Sequence, residues 1–159
     1  MIIIKEDLLD LNTCNILINY FENNIDKTHE HRDTRFLNIH EVDFMYAKKL
    51  NYFYSNFLNS KGLSVFPECT QVVKWPLGSY QEPHIDTARD YTVYTSITYL
   101  NDNFEGGNTY LNNDFSVKPK TGKGFFFDGL KYEHGVSKVN NGTRYTLAIW
   151  YTNNLDNII

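Results

Sequence analysis

From about residue 65 onward the chain runs as short alternating segments separated by turn residues, and this limits the architectures open to it. Residues 70–75 alternate and stop at Pro76-Leu77-Gly78. Residues 80–86 form a second short run. Residues 91–100, rich in Thr, Tyr, Val and Ile, form a long one, punctuated by Asn101-Asp102 and Gly106-Gly107. Residues 108–111, 115–117, 124–127, 135–139 and 144–152 follow. About eight short strands with turn chemistry between them predict a β-sandwich or jelly roll.

The first 64 residues have a different texture. Ile2 to Ile4 suit an edge strand. Asn12 or Thr13 is placed to cap a helix running to about Asn23, whose Ile16, Leu17, Tyr20 and Phe21 recur at helical spacing. A second helix fits residues 42–59, with Phe44, Ala47, Leu50, Phe53, Tyr54 and Phe57 on one side and Lys61-Gly62 ending it. That aromatic stripe reads as core. The fold class expected is mainly β with flanking helices: a jelly-roll core over 65–152, with the helices of 1–64 packed on one sheet, and 1–159 as one domain.

The chemistry concentrates in Pro83-His84-Ile85-Asp86. On a strand, side chains at i and i+2 share a face, so His84 and Asp86 project together. His134, near the start of a late strand, is the candidate third ligand. Two histidines and a carboxylate on one face of an ion leave the opposite face open, as in non-haem Fe(II) oxygenases. Zinc accepts the same ligands. Arg144, which opens the final strand, bears on the choice. A buried Arg without a carboxylate is costly, and a dicarboxylate ligand supplies one through a two-pronged pair. The guanidinium reaches the cavity if its strand neighbours that of His134. Thr146, two residues on, shares its face and offers a hydroxyl.

His29, His31 and His40 fall in the polar segment between the helices and read as solvated surface residues. His31-Arg32-Asp33 repeats the His-x-Asp spacing without strand signals around it. Cys14 and Cys69 make no disulfide framework and read as reduced thiols, Cys69 as a small buried hydrophobe. No phosphate-binding glycine loop or serine-nucleophile motif stands out. The net charge of −4 argues against a nucleic-acid backbone partner. The N-terminal apolar run is too short for a signal peptide, and no stretch approaches a membrane span, so a cytoplasmic protein is expected. The abundance of Asn, Ile, Tyr and Lys fits a viral or AT-rich bacterial source.

Four segments together resemble the prolyl-4-hydroxylase-like branch of the 2-oxoglutarate and Fe(II)-dependent dioxygenases. They are Lys74-Trp75-Pro76-Leu77-Gly78-Ser79-Tyr80 leading into Pro83-His84-Ile85-Asp86; Tyr99-Leu100-Asn101-Asp102 with Phe104-Glu105-Gly106-Gly107; Pro119-Lys120-Thr121-Gly122 before Phe125-Phe126-Phe127; and His134-Gly135-Val136 leading to Gly142-Thr143-Arg144-Tyr145. The resemblance implies a double-stranded β-helix fold, with His84, Asp86 and His134 as iron ligands and Arg144 on the far carboxylate of 2-oxoglutarate. It implies O2 as co-substrate and activity supported by ascorbate. Tyr99 matches a family tyrosine that bonds the same carboxylate. Trp75 stands where many members have a tyrosine, and its indole offers a donor but no acceptor. Trp150 reads equally as barrel packing or as a residue at the substrate entrance. The first reading of function is a peptidyl hydroxylase acting on proline. The second is an oxygenase of a small molecule such as a free amino acid. Nucleic-acid demethylases of this kind carry a second Arg six positions after the first, where this chain has Trp150. A non-catalytic jelly-roll binding module would not need the intact set of four polar residues.

Overall fold

The computed structural model describes residues 1–86, 92–112 and 115–158. The chain opens with strand β1 (Ile3–Lys5), helix α1 (Leu11–Glu22), strands β2 (His29–His31) and β3 (Thr34–Asn38), and helix α2 (Phe44–Ser60). Ten strands follow: β4 (Phe66–Trp75), β5 (Gln81–His84), β6 (Thr92–Tyr99), β7 (Glu105–Gly106), β8 (Thr109–Leu111), β9 (Phe115–Val117), β10 (Gly124–Phe127), β11 (His134–Val136), β12 (Val139–Asn141) and β13 (Arg144–Thr152). Among the described residues they form a seven-stranded sheet in the order β1-β10-β6-β13-β4-β3-β2. A four-stranded sheet, β5-β11-β8-β9, and the small pair β12-β7 complete the set. The pairings are antiparallel. This is the expected mainly-β fold with two facing sheets.

Alternation along β13 divides the interior. Leu147, Ile149 and Tyr151 face the helices and share one core with Leu17 and Phe21 of α1 and Leu50, Tyr54 and Leu58 of α2. Ala148 faces the other way, packing with Val73, Trp75, Val136 and Val139 between the sheets. The helices cover one face of the larger sheet, as the periodicity predicts. The buried Tyr54 hydroxyl is satisfied by Thr98 Oγ1 at 2.6 Å. Phe126, fully buried on the helix side, lies 5.1 Å from the Phe57 ring. Phe126→Ala is expected to cost about 3–5 kcal/mol, because it removes transfer free energy and leaves a void under α2. Urea unfolding measures this, and a loss under about 1 kcal/mol would contradict the helix-on-sheet core.

Several boundaries differ from expectation. The cap of α1 is Asp10, whose carboxylate accepts from Thr13 N at 2.7 Å, rather than Asn12 or Thr13. Helix α2 begins at Phe44, because Asp43 leaves the helical conformation and accepts from Tyr46 N. The segment between the helices is not a plain linker: β2 and β3 form a hairpin that extends the large sheet past β4. Its alternation is short and loaded with charge, and Arg32, at φ 55, makes the turn. Residues 1–64 therefore supply strands as well as helices. The run 80–86 ends as a strand at His84, so Asp86 lies beyond it. The run 135–139 divides into β11 and β12. Gly106, read with Gly107 as punctuation, instead closes the short strand Glu105–Gly106 that pairs with β12. Tyr91, expected to open β6, lies outside the described residues. Cys14 and Cys69 are both buried and are not bonded to one another. Among the described residues no helix is long and apolar enough to cross a membrane.

Candidate active site

Strand β11 pairs with β5 so that His134 lies directly opposite His84. Their rings are 4.3 Å apart, and Phe127 meets His134 edge-on at 4.6 Å. Each imidazole is oriented from behind. His84 Nδ1 lies 3.0 Å from Glu82 O, and His134 Nδ1 lies 2.9 Å from Tyr132 O. A ring that donates through Nδ1 to a carbonyl keeps an Nε2 lone pair for a metal.

Both Nε2 atoms converge on Asp86 Oδ1, at 3.5 Å from His84 and 3.3 Å from His134. Asp86 is not carried by the strand pleat. Its N–H donates to Gly129 O at 3.0 Å, and its Oδ2 accepts from Thr95 Oγ1 at 2.6 Å. Burial alone would raise the Asp86 carboxyl. The hydrogen bonds from His134 and His84, with that of Thr95, outweigh burial and hold it well below the usual carboxylate range. The Asp86 hydrogen bond raises His84 above an ordinary histidine.

Arg144 is fully buried. Its strand does not neighbour β11: it lies between β4 and β6 in the larger sheet, so the guanidinium enters the cavity from the opposite wall. The guanidinium sits 4.7 Å from the Trp75 ring centre and 5.3 Å from that of Tyr99. Nη2 donates to Thr109 Oγ1 at 3.1 Å, while Nε and Nη1 are buried without a hydrogen-bond partner among the described residues. Burial lowers the Arg144 pKa, since the charged form is poorly solvated there. Trp75 Nε1 is likewise buried and unpartnered. The Tyr99 hydroxyl is bonded to Thr109 Oγ1 at 2.8 Å. Thr146 lies on the same face of β13 as Arg144, almost fully buried, opposite Tyr99 and Val73. Trp150 stays partly exposed against the inter-sheet cluster and is paired in register with Thr95, which holds Asp86.

Residues 70–152 match the family model described as the 2OG-Fe(II) oxygenase superfamily.

The chain belongs to that superfamily.

Among curated sequences, prolyl 3-hydroxylase 1 of Homo sapiens is 37% identical over 79 residues, covering 45% of this chain and 10% of that protein. Prolyl 3-hydroxylase 2 of Rattus norvegicus is 36% identical over 80 residues, covering 46% and 11%. The chain thus spans about a tenth of the length of these relatives. Among solved structures, the viral collagen prolyl hydroxylase of Paramecium Bursaria Chlorella virus-1 has a TM-score of 0.78 at 22% identity, covering 95% of this chain and 94% of that one. A Pseudomonas putida prolyl-4-hydroxylase gives 0.76 at 15% identity, covering 96% and 92%.

Superfamily membership implies Fe(II), 2-oxoglutarate and O2, and the side chains present fit the metal and the diacid. Three ligands bonded to one ion at ~2.1 Å on an octahedral face lie about 3 Å apart. The two His–Asp separations, 3.5 and 3.3 Å, need only slight closure, and the ligand atoms all lie within 4.8 Å of one another. The two unpartnered nitrogens of Arg144, Nε and Nη1, are the donors a carboxylate requires. Thr95, Thr109 and Gly129 were not legible as site residues. Each acts through its neighbours in space, and no spacing in the chain marks them.

Proposed function

We propose that this chain is a peptidyl-prolyl hydroxylase in which His84 Nε2, Asp86 Oδ1 and His134 Nε2 hold Fe(II). Arg144 receives the far carboxylate of 2-oxoglutarate, Trp75, Tyr99 and Thr146 line its pocket, and Trp150 stands at the substrate side. All 159 residues act as one domain, 65–152 carrying the site. The observation that carries this reading is a fully buried guanidinium with two nitrogens unpartnered among the described residues, on the wall facing a His, Asp, His cluster. The names of the matched sequences and structures support proline as the target. Two buried cysteines with no bond between them support a reducing, cytoplasmic setting.

Bound Fe(II) with 2-oxoglutarate supplies the oxidising chemistry: O2 is reduced, the keto acid becomes succinate and carbon dioxide, and one oxygen atom enters a substrate C–H bond. The chain's own part is orientation and exclusion of water. The carbonyls of Glu82 and Tyr132 fix both imidazole tautomers, Thr95 fixes the carboxylate, and Arg144 with its flanking rings seats the diacid. Phe125, Phe127 and Leu111, all buried, keep this end of the cavity dry.

Succinate release with Fe(II), ascorbate and 2-oxoglutarate tests the reading, with proline-containing peptides set against free amino acids. Product analysis separates 3- from 4-hydroxyproline, since the matched proteins are named for both. Peptide-dependent succinate is the expected result. Absence of Fe(II) and 2-oxoglutarate binding in calorimetry would end the reading.

Gly129 offers a separate check. A Cβ there would lie 2.4 Å from Asp86 Oδ2 and 2.6 Å from Thr95 Oγ1. Gly129→Ala must displace the carboxylate or its anchor. It is expected to weaken Fe(II) binding about 10- to 100-fold, the usual effect of disturbing a ligand's support. Unchanged affinity by calorimetry would show that Asp86 does not need this seat.

A further inference from the structure

The larger sheet extends past the metal-bearing one, because the β2–β3 hairpin adds two strands beyond β4. Among the described residues, part of its inner face is therefore left without a facing strand. In register, that face carries Trp150 on β13, beside Thr95 and so beside Asp86. It carries Gln71 on β4, opposite Ala148, then Asn38 and Phe36 on β3, opposite Gln71 and Val73. Phe36 and Trp150 both pack against the inter-sheet cluster that contains Val73 and Ala148, which fixes this as the inner side. All four are half-buried, while Leu37 and Val72, which point to the helices, are fully buried.

The polar groups on this face are organised. Gln71 Nε2 donates to Asn38 Oδ1 at 3.0 Å, and Asn38 Nδ2 donates to Glu41 Oε1 at 2.8 Å. Glu41 Oε2 lies 3.0 Å from His29 Nε2, and the His29 ring stacks on Phe36 at 5.2 Å. A Gln side chain has two N–H donors and a carbonyl acceptor, of which this network uses one donor. Gln71 therefore retains one donor and one acceptor, the pair that a peptide group matches. Aromatic rings stand on either side of it, the surface that proline-rich segments favour.

We propose that this face, Trp150–Gln71–Asn38–Phe36, docks the residues flanking the target proline of a peptide substrate. The proposal rests on the peptidyl-prolyl reading above and deepens it. From Thr95 on β6 to Asn38 on β3 there are three strand spacings, about 14 Å. An extended proline-rich segment rises ~3.1 Å per residue, so the face spans four to five residues. It has nothing to offer a free amino acid held at the metal. The hairpin, with the His29 and His31 that carry no metal role, is then a substrate wall. Arg35 braces its outer side through Thr28 Oγ1 and Glu30.

The test uses oligoproline of three, six and ten residues, and free L-proline, as substrates of the Fe(II)- and 2-oxoglutarate-loaded protein. In wild type, KM is expected to fall at least about 10-fold from three to six residues and little beyond, because the added residues reach the face. Gln71→Leu should raise KM for the six-residue peptide about 5- to 30-fold, with kcat and the affinity for 2-oxoglutarate close to wild type. Asn38→Ala should shift KM in the same direction. Both positions are half-exposed, so neither change empties the core. Identical length dependence in Gln71→Leu and wild type would overturn the platform while leaving prolyl hydroxylation standing. Turnover of L-proline with none of the peptides would overturn the peptidyl reading, and the platform with it.

Discussion

Asp86→Ala is expected to lower 2-oxoglutarate turnover at least about 1000-fold, well past the 10- to 100-fold typical of disturbing only a ligand's support. Asp86 is the one anion in the cluster, and its Oδ1 is the atom on which both imidazoles converge. Its carboxyl is held low by the hydrogen bonds from His134, His84 and Thr95 against the opposing effect of burial, so it is ionised throughout the working pH range. Removing it leaves two neutral nitrogens, which bind a divalent ion far less tightly than the full set. It also leaves the Thr95 hydroxyl facing a void. Asp86→Asn separates the contributions, because it keeps the shape and removes the charge. Succinate release and Fe(II) calorimetry should fall together in both variants. Retention of more than a tenth of wild-type turnover in Asp86→Ala would remove this residue from the ligand set.

The fold and the polar centre were legible in the sequence to different depths. Alternation located β6, β10 and β13 almost to the residue, because each buries both faces, one against the helices and one against the other sheet; of β4, Phe66–Trp75, it found only residues 70–75. The β2–β3 hairpin was missed for the opposite reason. β2 is an exposed edge strand whose His29, Glu30 and His31 all face solvent, so it carries no apolar alternation to read. His84 and His134 were assigned as partners and meet across a strand pair, which a jelly roll provides. Asp86 reached the same point by another route, since it lies past the strand end, held by the backbone of Gly129 and the side chain of Thr95. Those contacts are long-range and leave no mark in local spacing. Arg144 was recognised as a buried cation in need of an anion. Its wall was not legible: the neighbouring of β13 and β11 stood only as a condition and is not met, because the order of strands in a sheet is set by tertiary packing. Trp75 and Tyr99 came from the family resemblance, and the guanidinium is found between their rings.

Arg144→Ala is expected to weaken 2-oxoglutarate binding by roughly 30- to 5000-fold, the effect of about 2–5 kcal/mol for deleting one partner of a buried charge pair. Fe(II) affinity should stay within a few-fold of wild type, because Arg144 stands on a different sheet from both histidines, and among the described residues its hydrogen bond and ring contacts go to Thr109, Trp75 and Tyr99. Arg144→Lys should fall between, since an ammonium keeps the charge but loses the fork that engages both carboxylate oxygens. Equal loss of metal and co-substrate binding in Arg144→Ala would contradict the assigned role. Stability gives an independent readout with the opposite sign. Without 2-oxoglutarate the guanidinium is buried with two nitrogens unsatisfied, and among the described residues Trp75, Tyr99 and the Thr109 hydroxyl offset its desolvation. Replacing an uncompensated buried charge by an apolar side chain of similar length relieves that cost. Arg144→Met is therefore expected to melt at the wild-type temperature or above it when unliganded. Wild type should gain about 2.7 kcal/mol when 2-oxoglutarate reaches 100 times its Kd, a gain the variant loses. A variant that melts well below wild type in both conditions would mean that Arg144 serves the fold and not the co-substrate.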